Sequence, residues 1–431
     1  MRKWMPLAAV CLGSFLFLLD TTVLSVALPR IGADLHASLE NLSWVANVYP
    51  LGLAVLMLTT GTLADRWTAR AVYLAGLGIF GAASLACALA PNTGALIAAR
   101  GAQSVGGAAL AVTSVALIGE GYRGADLARA LGVFGAVTGL AAAIGPVLGG
   151  VSTQYLGWRS IFLLNLPLAA LTAALGAAAL RPGARGGARR GVDLAGAGTF
   201  GVAAGSLTYG VTTGGSGWLV VAAGALAAFG AVERRSAAPL LDVRLFARAR
   251  FTAVIVCVVA STAPFGALVW VSVWLQSGLG YGPLRARFAL APLAAAAFVT
   301  SLTAGRGRPG RRVLGGGLLL TGVGAVLSIG SLPVRLTVTG VGIGLLGPAL
   351  GAAVFAALPP DRTGLAAGVL TTFRQLGQTV GVGLFGVLFR SGGLSGVLIA
   401  AAVAGLAGAV VAAGFEFRRS GIKKRPVGWD A

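Results

Sequence analysis

The sequence is poor in the residues from which most enzymes and metal sites are built. Only 10% of its 431 residues are charged, and it contains one histidine and three cysteines. Three cysteines in apolar stretches do not form a disulfide framework or a metal cluster, and His36 in a predicted loop offers no set of ligands. We therefore expect no metal and no cofactor.

The sequence also lacks the residues that bind and hydrolyse a nucleotide. The three lysines are Lys3, Lys423 and Lys424, and none follows a glycine-rich loop, so the sequence has no phosphate-binding P-loop. No other arrangement of side chains indicates an active site, and we predict that the protein is not an enzyme. Any uphill work would have to draw on an ion gradient.

What the sequence has in abundance is apolar surface. Hydrophobic residues make up 57% of the chain, 68 residues are glycine, and the mean hydropathy is +0.88, a composition suited to lipid. Fourteen apolar stretches can be marked off, most of them about 17 to 25 residues long, the length at which a helix crosses a ~30 Å hydrocarbon layer. We expect an all-α membrane protein with 14 transmembrane helices.

These stretches predict an order of six, two and six helices. We assign residues 1–180 to an N-terminal six-helix bundle and residues 181–250 to a two-helix insert with basic loops. We assign residues 251–416 to a C-terminal six-helix bundle and residues 417–431 to a cytoplasmic tail. The abundant small residues predict close packing of the helices.

The net charge of +21 would also fit a nucleic-acid-binding protein. The positions of the charged residues along the chain distinguish that class from a membrane protein. With the amino terminus in the cytoplasm, 25 of the 33 basic residues fall inside, 6 outside and 2 within helices. This distribution follows the positive-inside rule of membrane proteins. We predict a monomer in the cytoplasmic membrane, with both termini inside and no nucleic-acid partner.

One acidic residue stands apart from the other eleven. Asp20 lies inside an apolar stretch, about eight residues or ~12 Å from its outer end, where a charge costs roughly 2.5 to 3.5 kcal/mol. Arg100 lies at similar depth in the fourth stretch. Burial favours the protonated carboxyl and a guanidinium favours the carboxylate, so Asp20 and Arg100 are candidate proton-coupling residues. A pair that only fixes helix packing is the alternative.

The residues around Asp20 resemble a known family. The segment 19–23, Leu-Asp-Thr-Thr-Val, and the Ala-Leu-Pro at 27–29 are similar to the first-helix signature of the fourteen-helix drug:proton antiporters of the major facilitator superfamily. Further resemblances cover nearly the whole chain. They imply the major facilitator fold and a protein that exports small, largely apolar compounds in exchange for protons.

The loop after the second stretch resembles the conformational-switch loop of that superfamily. It contains Gly61, Asp65, Arg66 and Arg70, while Thr68 and Ala69 stand where the family has a glycine and a basic residue. The resemblance implies that Asp65 latches against a neighbouring helix entry, which we place near Asp126.

Two helices carry further motifs. Arg100-Gly101 with Gln103 resembles the fourth-helix motif, whose arginine the family implicates in proton transfer. The fifth stretch resembles the antiporter motif that distinguishes exporters, with Gly135, Gly139, Gly145, Pro146, Gly149 and Gly150. Ordinary small-residue packing is the alternative explanation of these glycines.

Polar residues within apolar stretches are candidates for the substrate cavity, because such groups face a cavity or a partner helix. They are Asn47, Gln103, Asn165, Gln276, Arg374 and Gln375. Many relatives carry an additional acidic residue deep in the second bundle, and its absence here favours a neutral, anionic or singly charged substrate. A proton-coupled importer of the same fold, or a membrane scaffold or receptor that transports nothing, remain alternatives.

Overall fold

The computed structural model describes residues 2–181, 193–213, 215–236, 239–281, 283–304, 311–326, 331–359 and 362–414. Throughout these ranges the regular secondary structure is helical. The α-helices are α1 (Met5–Asp34), α2 (Leu39–Arg66), α3 (Ala69–Ala88), α4 (Thr93–Gly121), α5 (Gly124–Tyr155), α6 (Ser160–Leu163), α7 (Asn165–Ala179), α8 (Leu194–Thr213), α9 (Ser216–Arg235), α10 (Ala249–Ser277), α11 (Pro283–Ala304), α12 (Arg311–Val326), α13 (Leu332–Ala357) and α14 (Thr363–Gly414). The predicted tail at 417–431 lies outside the described residues.

Short polar side chains start several of these helices. Ser38, Thr68 and Asn92 each precede a helix and accept a hydrogen bond from the backbone N–H three residues later. Such caps satisfy amide groups that have no partner within the helix. They explain why α2, α3 and α4 begin where the loops end.

The helix α14 is interrupted at Gly393, which has φ 62° and ψ −157°. Only glycine adopts this conformation readily, because it has no β-carbon. The sequence predicts two separate spans here with a turn at 390–393, and the break divides α14 into two limbs at that place.

Ten helices among the described residues are long and apolar enough to cross a membrane, and the apolar segments Phe288–Ala304 and Arg312–Val326 are shorter. One of the ten, Ser160–Ala179, combines α6 and α7. The structure thus confirms an all-helical architecture rich in apolar spans. The count of fourteen spans stays a prediction.

The helices pack in two groups. The first contains α1 to α7, and the second contains α10 to α14, while α8 and α9 pack on each other and α8 also contacts α2 and α14. Lys3 pairs with Asp126, which places the starts of α1 and α5 at one end of the molecule, here named the amino-terminal face. The ion pair of Asp34 with Arg159 lies at the other end, the opposite face.

Candidate functional site

The structure places Asp20 near the middle of α1 and surrounds its carboxylate with donors. Arg100 donates from Nη1 to Oδ2 at 2.5 Å. The other oxygen, Oδ1, accepts from Gln103 Nε2 and from Asn165 Nδ2, both at 2.9 Å. We name Asp20, Arg100, Gln103 and Asn165 the Asp20 cluster; it joins α1, α4 and α7.

Other side chains hold the Asp20 cluster in place. Ser84 of α3 accepts hydrogen bonds from Gln103 and Asn165, and Arg100 also donates to Gln103 Oε1 at 2.7 Å. The ring of Tyr49 lies 4.4 Å from the guanidinium carbon of Arg100, a cation–π contact. Sequence reasoning missed Ser84 and Tyr49, because neither stands in a motif and a serine in an apolar helix is common.

The Asp20 cluster is almost sealed within the first helix group. Asp20 is 5% exposed and Arg100 is 0% exposed. One positive and one negative charge lie together, so the cluster is neutral overall while Asp20 is ionised. Removing either charge would leave the other buried without its counter-ion, which is strongly unfavourable.

The glycines of α5 bring this helix against α1 next to Asp20. A β-carbon on Gly145 would collide with Thr22 Oγ1, and one on Gly149 would lie 2.7 Å from the Val23 carbonyl oxygen. Thr22 and Val23 follow Asp20 by two and three residues. A larger residue at either glycine would therefore push α5 away from the helix that carries Asp20.

The earlier part of α5 faces the second helix group instead. A β-carbon on Gly135 would lie 2.7 Å from Ser301 Oγ of α11, and Ser301 donates to the Gly132 carbonyl at 3.0 Å. A β-carbon on Gly139 would have no atom of a described residue within 4 Å. Gly150 and Pro146 also lie in α5, and the Pro146 side chain lies outside the described residues. This helix thus touches both groups.

The predicted switch loop contacts the start of α14. Asp65 accepts hydrogen bonds from the backbone N–H groups of Gly364 at 2.7 Å and Leu365 at 2.8 Å. A carboxylate at a helix N-terminus satisfies free amides and interacts favourably with the helix dipole. A β-carbon on Gly61 would lie 2.6 Å from the Gly364 carbonyl oxygen, so the two helices meet backbone to backbone.

The remaining loop residues lie elsewhere on the amino-terminal face. Asp126 pairs with Lys3 at 2.7 Å, so the structure places Asp65 against α14 and not against the entry near Asp126. Arg70 donates to the Ala177 carbonyl at 3.0 Å, and Arg66 is exposed. Of the five predicted residues, Gly61 and Asp65 contact the second helix group through these atoms.

The six cavity candidates divide into different environments. Gln103 and Asn165 belong to the Asp20 cluster, and Asn47 is exposed on α2. Arg374 and Gln375 are partly exposed on the first limb of α14. The Gln276 side chain lies outside the described residues.

Comparison with known proteins places this arrangement in a family. The family model of the Major Facilitator Superfamily matches residues 10–310. The chain is 35% identical over 404 residues to the multidrug resistance protein Stp of Mycobacterium tuberculosis (strain CDC 1551 / Oshkosh), covering 89% of this chain and 75% of that protein. It is 33% identical over 421 residues to the probable actinorhodin transporter of Streptomyces coelicolor, covering 90% and 72%.

A solved structure shows the same fold. The crystal structure of the human organic anion transporter MFSD10 matches with a TM-score of 0.73 at 16% sequence identity, covering 95% of this chain and 99% of that one. At this identity the likeness shows the fold alone. Relatives of the chain include proteins named for multidrug and antibiotic resistance. The chain belongs to the Major Facilitator Superfamily, a family of transporters and not of enzymes.

Proposed function

We propose that this protein exports small, largely apolar compounds, such as drugs, antibiotics or secondary metabolites, in exchange for protons. It lies in the cytoplasmic membrane with both termini inside, so the amino-terminal face is the cytoplasmic one. Two six-helix bundles, at 1–180 and 251–416, alternate in access around a central cavity, and α8 and α9 form the insert between them.

The Asp20 cluster is the observation that carries this proposal. An ionisable residue in the membrane interior is costly and marks an ion pathway by default. Asp20 has a counter-ion in Arg100 and two neutral hydrogen-bond donors in Gln103 and Asn165. When Asp20 takes up a proton, Arg100 loses its ionic partner, and this change favours a different arrangement of the helices.

The helix α5 offers a way for that change to reach the second bundle. Its Gly145 and Gly149 pack beside Asp20 on α1, and its Gly135 packs on Ser301 of α11. We propose that α5 shifts with the protonation of Asp20 and alters the contact with α11. The same helix would thereby couple the proton to the movement of the bundles.

The latch of Asp65 on α14 closes the amino-terminal face in this scheme. Asp65 binds the amides of Gly364 and Leu365, and Thr363 donates to Glu120 of α4 at 3.1 Å. Both contacts join the first helix group to the start of α14. A junction at this face is what an outward-facing state requires, and its release would open the cavity to the cytoplasm.

Transport in liposomes tests the proposal. Expression in a drug-sensitive bacterial host first identifies a compound to which the chain confers resistance. The purified protein should then move that compound against its gradient when a pH gradient is imposed, and Asp20→Asn should reduce this movement to the level of protein-free liposomes. Asp34→Asn is the matched control, because Asp34 lies on the same helix but pairs with Arg159 at the opposite face.

Three results would refute the proposal. Full gradient-driven transport by Asp20→Asn would show that this carboxylate does not couple protons. Movement of the compound in the same direction as the protons would identify an importer, and the absence of any proton flux would favour a scaffold or receptor.

A further inference from the structure

A second guanidinium, that of Arg374, lies deep in the molecule and has no hydrogen-bond or ion-pair partner among the described residues. Arg374 stands eleven residues after the start of α14, or ~17 Å along the helix axis. No hydrogen bond or ion pair connects it to another described residue; the three ion pairs found there are Lys3 with Asp126, Asp20 with Arg100 and Asp34 with Arg159. Its charge is therefore not neutralised by the part of the chain that the structure describes.

The sequence explains why the described residues of the second helix group offer Arg374 no carboxylate. Between residues 251 and 414 the chain has a single acidic residue, Asp361, which precedes Arg374 by thirteen positions. Asp361 itself lies outside the described residues. In the first helix group, Asp20 already binds Arg100, while Asp65 binds the start of α14.

The guanidinium of Arg374 lies near α13. A β-carbon on Gly347 of α13 would lie 3.8 Å from Arg374 Nη2. Gly377, one turn further along α14, packs on Val259 of α10. Arg374 also keeps part of its surface exposed, whereas Arg100 keeps none. The small residue at 347 leaves room beside the guanidinium that a larger side chain would fill.

We propose that Arg374 binds the anionic group of the transported compound, and that the substrates include apolar carboxylates. A charge at this depth is unfavourable without a partner, and a planar guanidinium matches a carboxylate through two parallel hydrogen bonds. The substrate supplies the missing negative charge when it binds. This inference rests on the proposed export function and specifies the chemical class of its substrate.

Equilibrium binding without any gradient tests the inference. Three probes share one ring system and differ in charge: 1-naphthaleneacetate, its neutral amide 1-naphthaleneacetamide, and the cation 2-(1-naphthyl)ethylammonium. Equilibrium dialysis against the purified full chain in detergent gives each dissociation constant. The wild type should bind the carboxylate at least about tenfold more tightly than the amide, the low end of what a hydrogen bond to a charged group contributes.

Variants then assign the preference to Arg374. Arg374→Gln should bring the ratio between carboxylate and amide close to one, and Arg374→Lys should keep part of it because the charge remains. Arg335→Gln is the matched control, since Arg335 lies near the start of α13 and donates to the Ala325 carbonyl; it should keep the full ratio. Thermal unfolding of each variant verifies that the chain is folded.

The outcomes separate this inference from the proposed function. A wild type that does not bind the carboxylate better than the amide overturns the inference, as does a preference that survives in Arg374→Gln. Asp20→Asn should keep the preference while losing gradient-driven transport. Normal transport by Asp20→Asn would refute proton coupling and leave the anion preference intact.

Discussion

Each of the two helix groups has an arginine well inside a long apolar helix, and the surroundings of the two arginines differ. Arg100 is enclosed by Asp20, Gln103 and the ring of Tyr49, and its charge is neutralised within the first group. Arg374 in the second group has no counter-ion among the described residues and keeps part of its surface exposed. The charge of Arg100 is neutralised within its own helix group, whereas the charge of Arg374 has no counter-ion among the described residues.

Removal of each arginine provides the strongest test of this difference. Arg100→Met should lower the free energy of unfolding by roughly 3 to 5 kcal/mol, because it leaves Asp20 buried without its counter-ion. Arg374→Met should cause no loss, since it removes an unfavourable charge and leaves no carboxylate behind. The free energy of unfolding of both variants is measured by denaturant titration in the same detergent.

A double variant completes that comparison. Asp20→Asn combined with Arg100→Met should recover most of the lost stability, because no charge then stays unpaired. Equal losses for the two single arginine variants would contradict the difference between the groups.

Packing, unlike charge, should be alike in the two groups. Gly149 of α5 approaches the Val23 carbonyl of α1, and Gly381 of α14 approaches the backbone of Ala263 in α10. Gly149→Ala and Gly381→Ala should each lower stability by about 1 to 3 kcal/mol, the effect of forcing an additional methyl group into a packed interface. Thermal unfolding checks both.

Gly139→Ala serves as the control for these two substitutions. A β-carbon at Gly139 would meet no atom of the described residues within 4 Å, and alanine is the better helix former, so stability should be unchanged or slightly higher. A loss as large as that of Gly149→Ala would show that the close approach to α1 is not the cause.

The smallest expected effect lies at the junction of the two groups. Asp65→Ala removes the acceptor for the amides of Gly364 and Leu365, a capping interaction of about 0.5 to 2 kcal/mol. The distance between spin labels at the amino-terminal-face ends of α2 and α14 should shift toward longer values. Asp126→Ala, which breaks only the pair with Lys3, should leave that distance unchanged.

Much of the arrangement around Asp20 follows from the sequence. A lone acidic residue and an arginine at similar depth in two apolar stretches are enough to predict an encounter, because hydrocarbon leaves buried charges little choice of partner. Ser84 and Tyr49 could not be predicted in the same way. Their contribution depends on the rotation of α3 and α2 about their axes, which an apolar stretch without a polar stripe does not reveal.

The switch loop marks another limit of sequence reasoning. The motif indicates that Asp65 holds a neighbouring helix, but its partners are backbone amides of α14, almost three hundred residues later. Every residue except proline carries such an amide, so no pattern of side chains identifies the partner. The fourteen predicted spans and the domain boundaries stay predictions. The length of an apolar stretch does not determine how the helix is placed in the bilayer.

The latch of Asp65 has a consequence for how this protein can vary. One half of the contact is a side chain that a single codon change deletes, and the other half is main chain that almost any codon preserves. Compensating mutations for a damaged Asp65 therefore cannot arise by changing the charge of its partner. Selection for restored transport should instead recover substitutions at distant positions that restore the equilibrium between the states open at either face.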